Sequence, residues 1–118
     1  MDTRDKGKFG EFLAATYIED KGYKILSQNY YKNKGEIDII ALDKNILVFI
    51  EVKTRHSKKY GSAALAVDAN KQRNIIRTSK LFIHENKMHN IQCRFDVIEV
   101  YISDKTNINH ITNAFWVE

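Results

Sequence analysis

Two apolar runs joined by a three-residue polar turn constrain this chain more than any other feature: Glu36-Ile-Asp-Ile-Ile-Ala-Leu42 and Ile46-Leu-Val-Phe-Ile-Glu-Val-Lys53. Their β-branched content, and the Asp43-Lys-Asn45 turn between them, predict an antiparallel hairpin of buried strands. In the second run Ile46, Val48, Ile50 and Val52 alternate with Leu47, Phe49, Glu51 and Lys53. Both sets begin apolar, as a central strand covered on two faces requires. Asp38, Glu51 and Lys53 interrupt this pattern. A carboxylate in such a strand is costly to desolvate unless it is paired or holds a cation. Pairing about the turn puts Asp38, which shares a face with Ile40 and Leu42, roughly across from Glu51. Lys53 emerges beside Glu51, two residues on.

The rest of the chain supplies a frame for this hairpin. Phe9, Phe12, Leu13, Thr16 and Tyr17 recur at helical spacing between Thr3 and Lys21, and Gly22 is a C-cap signal. Tyr23–Tyr31 reads as a first strand, and Lys32–Gly35 as a turn into the hairpin. A polar loop from Arg55 to Ser62 leads to a helical stretch from Ala63 to Glu85, with a break near Asp68–Asn70. Its second half carries Ile75, Ile76, Ser79, Phe82 and Ile83 on one face. Arg94–Ile102 reads as a fourth strand and Ile108–Val117 as a last one. A helix between the third and fourth strands implies a right-handed crossover, so those two are expected to be parallel. The fold class expected is α/β, a three-layer sandwich with a central mixed sheet flanked by helices.

At 118 residues, with 43% hydrophobic and 29% charged residues, the chain is one globular domain rather than a disordered one. No apolar run reaches the ~20 residues of a membrane span. The first residues lack an apolar signal core, so no membrane association and a cytoplasmic location are expected. The single cysteine, Cys93, excludes an internal disulfide and a thiolate cluster. Net charge is +4, but its distribution says more. Lys53–Lys80 holds eight basic residues and one acid, a local +7, which leaves −3 for the remainder. A basic region beside an acidic site favours a polyanionic partner, nucleic acid first; a solvated helix face is the plainer reading.

Two carboxylates and a lysine at one place match the needs of phosphodiester hydrolysis. Carboxylate oxygens hold Mg²⁺ or Mn²⁺ with positions left open for water and phosphate. The metal acidifies its water and stabilises developing charge, and a nearby ammonium assists either role. A bare Glu-x-Lys at a strand end is more often an ordinary surface ion pair; Asp38 in the neighbouring buried strand weakens that reading here.

Gly35–Ala41 followed by Val48–Arg55 closely resembles the YraN family of bacterial proteins. The likeness extends through Gly10-Glu11, Lys71-Gln72 and Cys93-Arg-Phe-Asp-Val97, and so covers nearly the whole chain. The resemblance implies membership of the restriction-endonuclease-like superfamily, whose signature is an Asp followed by (Asp/Glu)-x-Lys, and similarity to archaeal Holliday-junction resolvases. It implies nuclease chemistry with Asp38, Glu51 and Lys53 in the signature positions. Ile37 stands where the superfamily often has proline. The resemblance also points to Glu11 as a third acid near the metal. Glu11, Ala14, Ala15 and Ile18 form a stripe whose small residues allow close approach to the sheet. A solvated helix acid is the alternative.

The sequence thus predicts a Mg²⁺- or Mn²⁺-dependent nuclease acting on DNA, with branched or single-stranded regions and a homodimer both compatible with it. Asp38 and Glu51 would bind the metal, with Glu11 assisting, and Lys53 would serve the water or the phosphate. Arg55, Lys58, Lys59, Lys71, Gln72 and Arg73 would hold the nucleic acid, although helix-start capping equally accounts for Gln72. A binding module with this fold but without efficient catalysis is the rival. Glu36 is expected on the face of Asp38, and Asp96 reads as a structural hydrogen-bonding residue. His56, His84, His89 and His110 show no metal spacing. Tyr30, Tyr31 and Tyr60 could stack on bases or simply pack.

Overall fold

The computed structural model describes residues 2–56, 67–103 and 105–117. Its elements run α1 (Thr3–Asp20), β1 (Lys24–Lys32), β2 (Gly35–Asp43), β3 (Ile46–Arg55), α2 (Ala69–Glu85), β4 (Gln92–Tyr101) and β5 (Asn107–Phe115). The strands lie in chain order in one five-stranded sheet. β3 and β4 pair in parallel and every other neighbouring pair is antiparallel. An α/β domain with a mixed sheet is therefore correct. No helix among the described residues is long and apolar enough to cross a membrane.

Local chemistry sets the element ends. The Asp2 carboxylate accepts from the Asp5 amide at 2.9 Å and caps α1. At the other end Gly22 takes φ +94°, and the amides of Gly22 and Tyr23 bond back to Glu19 and Ile18 at 2.9 Å each. That is a Schellman closure, which needs glycine at the left-handed position. Asn33 and Lys34 both have positive φ, which gives the β1–β2 hairpin its tight turn. Asp68 accepts from the Lys71 amide at 2.8 Å, so the expected break near Asp68 is the N-cap of α2. The helix expected over residues 63–66 lies outside the described residues.

Among the described residues, each face of the sheet carries one helix and one core. On one side Ala14, Ala15 and Ile18 of α1 pack on Ile39, Ala41, Val48, Ile50, Ile98 and Val100. On the other, Ile75 and Phe82 of α2 pack on Ile37, Ile40, Leu47, Phe49, Phe95 and Val97. The buried face of α1 differs from the larger apolar pattern in the sequence. Phe12 is 63% exposed, and the helix seats itself through Gly10, Ala14, Ala15 and Ile18. Small residues win because they let helix and sheet close to contact without cavities.

Candidate active site

The hairpin register fixes the centre of the site. Pairing runs from Asp43↔Ile46 to Ile39↔Ile50, so the next step outward sets Asp38 opposite Glu51. The ladder does not continue there. Instead Asp38 Oδ2 accepts a hydrogen bond from the Val52 amide at 2.8 Å. Side-chain alternation in β2 also breaks at this point. Ile37 and Ile40 both enter the α2-side core, whereas Ile39 and Ala41 enter the α1-side core. Asp38 thus sits where β2 parts from β3, reaching toward β3 within the opening. Glu36 is near enough to Asp38 for its charge to act on that carboxyl, and its own side chain meets the Asn29 amide.

Glu51 is 6% exposed, with Oε1 3.7 Å from Lys53 Nζ and 3.8 Å from Lys71 Nζ. Burial pushes its carboxyl up to about 7, the neighbouring Asp38 pushes the same way, and Lys71 and Lys53 oppose them. Asp38 is also raised, by burial first, against the stabilising Val52 amide; Glu36 adds to the rise, and the two lysines reduce it. Two desolvated carboxyls so close titrate as a pair. The sequence placed Lys71 among nucleic-acid contacts. The structure brings it to Glu51, because the first turn of α2 lies over the end of β3.

Glu11 approaches from α1, on the other side of the sheet. It is half-buried, and its carboxyl is raised to about 7 by burial, then by the charges of Asp38 and Glu36. The Asn29 amide bridges the two outer acids, 2.7 Å from Glu11 Oε1 and 3.3 Å from Glu36 Oε1. Asn29 has φ 53°, a conformation asparagine tolerates, but no pattern in the sequence marked it. Among the described residues no three His, Cys, Asp or Glu side chains come close enough to ligate one ion. The acids close enough together to share an ion are Asp38 and Glu51, with Glu11 one step removed. Two crowded carboxylates could hold a hard divalent cation through their oxygens, as Mg²⁺ prefers.

The remaining expected contacts are dispersed. Arg55 turns inward, its Nε 3.1 Å from Glu99 Oε2 though off the hydrogen-bonding line. Glu99, 1% exposed, also accepts from Asn109 at 2.9 Å. Sequence reasoning passed over Glu99, although a carboxylate within the apolar run of β4 was a signal of the same kind as Glu51. Gln72 donates to the Val67 carbonyl at 2.8 Å, tying its side chain to the backbone just before α2. Arg73 is exposed and bonds the Asn70 side chain. Lys58, Lys59 and Tyr60 lie outside the described residues.

Asp96 is a structural hub at the other end of the sheet. Fully buried, it accepts from Arg94, from His110 at 2.8 Å and from the Asn113 amide at 2.9 Å. Burial pushes its carboxyl up, but these hydrogen bonds and the Arg94 charge outweigh it and hold it below the usual range. A cavity of about 570 Å³ opens at this end beside Lys21, Arg94 and Asn113. It is remote from the carboxylate pair, and Arg94 there is already engaged by Asp43 and Asp96.

Fold and site together define an α/β domain that keeps an acid pair and two lysines at the parting of two central strands. The chain belongs to the uncharacterised protein family UPF0102, the YraN family, whose model matches residues 10–100. That span contains Glu11, Asp38, Glu51, Lys53 and Lys71. Similar proteins include a UPF0102 protein of Caldanaerobacter subterraneus, 46% identical with 98% of both chains covered. Another, from Clostridioides difficile, is 45% identical over 98% of this chain and all of the relative. A third, from Clostridium botulinum, is 48% identical over 97% of this chain and 96% of its own.

Proposed function

We propose that this protein is a Mg²⁺- or Mn²⁺-dependent endodeoxyribonuclease of the restriction-endonuclease-like type. The observation that carries the reading is the desolvated Asp38–Glu51 pair. Its raised pKa values mean that burial and mutual repulsion oppose ionising both carboxyls at once, a cost that a bound cation would offset, with two ammonium groups alongside. A divalent cation bound there supplies Lewis acidity and an acidified water. Asp38 is held in position by the Val52 amide, and Glu51 by burial between Lys53 and Lys71. Lys53, 31% exposed, is free to turn toward a phosphate oxygen or the attacking water. Glu11 and Asn29 border the opening and orient water around the pair rather than hold the ion.

One observation favours the rival reading of a binding module. Lys53 and Lys71 both lie within 4 Å of Glu51, so its charge has two cationic neighbours without a metal ion. The two readings separate in one assay. Supercoiled, linear, single-stranded and four-way-junction DNA are incubated with Mn²⁺, with Mg²⁺ or with EDTA, using wild type, Asp38→Ala and Lys53→Ala. The nuclease reading expects metal-dependent cleavage that falls at least about a hundredfold in each variant, the scale of losing one transition-state charge contact. Binding without cleavage on every substrate leaves the module. Symmetric cutting of a junction would require two copies, which sedimentation of the complex resolves.

A further inference from the structure

We propose that a groove along α2 binds single-stranded DNA, stacking an unpaired base on Trp116 while Arg73, Arg77 and Lys80 hold the backbone. The groove has a volume of about 480 Å³ and is lined by Arg73, Ile76, Arg77 and Lys80 with Trp116 and Val117, just past β5. Trp116 is 62% exposed and Val117 51%, in a protein whose Phe49, Phe95 and Phe115 stack inside the core. No acid among the described residues lines the groove, and none lies within ion-pair distance of its three cations. A flat aromatic face left in water beside unpaired cations is the combination that single strands use. The cations are four and three residues apart on one helix face. They therefore step about 4.5–6 Å along the axis, a distance suited to successive phosphates of an extended strand.

Duplex DNA would satisfy the cations but hide its base faces in its own stack. An acidic peptide would satisfy the cations and leave Trp116 without a planar partner. Lys71 begins the same helix and contacts Glu51, so a strand in the groove leads toward the carboxylate pair. The inference rests on the nuclease reading for what the strand is for; its binding is measured without cleavage.

Trp116 is the only tryptophan, so its emission reports this groove alone. The protein is titrated in EDTA with oligothymidine of roughly 10 nucleotides, within the usual site size, and affinity is measured separately with labelled oligomer. Binding quenches Trp116 and weakens with salt. Trp116→Ala lowers affinity at least about fivefold, whereas Trp116→Phe, which keeps an aromatic face, retains most of it. The Arg77→Ala/Lys80→Ala double variant reduces the log–log salt slope by about 1.4. Absence of quenching overturns the proposal, as does equal quenching by duplex DNA, oligouridine or polyglutamate. Quenching in a protein that never cleaves with Mn²⁺ removes the nuclease and keeps the groove. Cleavage without quenching does the reverse.

Discussion

Glu51 sets ionisation against folding, because the fold buries its carboxyl beside a second one. Its pKa rises from 4.5 to about 7 on folding. Below the unfolded value both states hold the proton and the site costs nothing. As pH climbs, the unfolded chain ionises first while the folded chain keeps its proton, so stability drains away and is lost through about pH 7. Glu11 acts in the same direction, with the same midpoint of about 7, but more weakly because it is only half-buried. Asp96 acts oppositely: its lowered carboxyl stabilises the fold above the unfolded value of 3.8, and that help is lost in acid, outside this window. In EDTA the melting temperature is therefore expected to fall between about pH 5 and pH 8, and Glu51→Gln, which also relieves Asp38 of its neighbouring charge, to flatten much of the fall. The effect at pH 8 has a ceiling on the order of 3 kcal/mol. Calorimetry across that range decides the matter; parallel curves for wild type and variant would mean that Glu51 is not the group responsible.

Helices and strands bring these residues together through close contacts at the site end of the sheet. A Cβ added at Gly10 of α1 would lie 2.0 Å from Thr54 Oγ1 and 3.1 Å from Thr54 Cβ on β3. A Cβ at Gly35, where β2 begins, would lie 1.9 Å from Thr78 Oγ1 on α2. Each helix thus meets the sheet through a glycine–threonine contact, one next to Glu11 and the other next to Glu36. Gly10→Ala should cost about 1–3 kcal/mol by overpacking. Thr54→Ala in the same chain should return more than half of it, since only the 3.1 Å approach to Cβ remains. Urea titration of the four proteins measures the coupling, and additive costs would show that the two residues do not bear on each other. This contact also explains what was legible at this scale. Strand periodicity identified all five strands, and the crossover rule their one parallel pair. Helical periodicity gave two stripes on α1, and the one that seats on the sheet is Ala14, Ala15 and Ile18, expected from their small size, rather than Phe9 and Phe12, which weigh more in any hydrophobic count. The deciding quantity was how near the helix can come, which a hydrophobicity pattern does not carry.

Over the whole molecule, the two ends of the sheet handle buried charge in different ways. At one end Asp96 is matched by Arg94, His110 and a backbone amide. At the other, Asp38 and Glu51 face each other with lysines no nearer than 3.7 Å. The sequence revealed the second arrangement because hairpin register is arithmetic: a turn and two alternating runs fix which residues oppose. It could not reveal Asn29, Lys71 against Glu51, or Arg55 against Glu99, since those contacts depend on how helices and distant strands are laid across one another. The imbalance at the Asp38–Glu51 end has a thermodynamic consequence independent of any substrate. A cation that binds only the folded chain stabilises it by about 2.7 kcal/mol at a hundredfold excess over its dissociation constant. For a domain of 118 residues that corresponds to a rise in melting temperature of roughly 10 °C. Mn²⁺ or Mg²⁺ added at pH 8 should produce such a rise in wild type and little or none in Asp38→Ala. The quantity to compare is the metal-induced shift, because the variant also loses the Val52 contact and begins from a lower baseline. An equal shift in both proteins would mean the ion binds elsewhere, and the two lysines would then be all that balances the charge on Glu51.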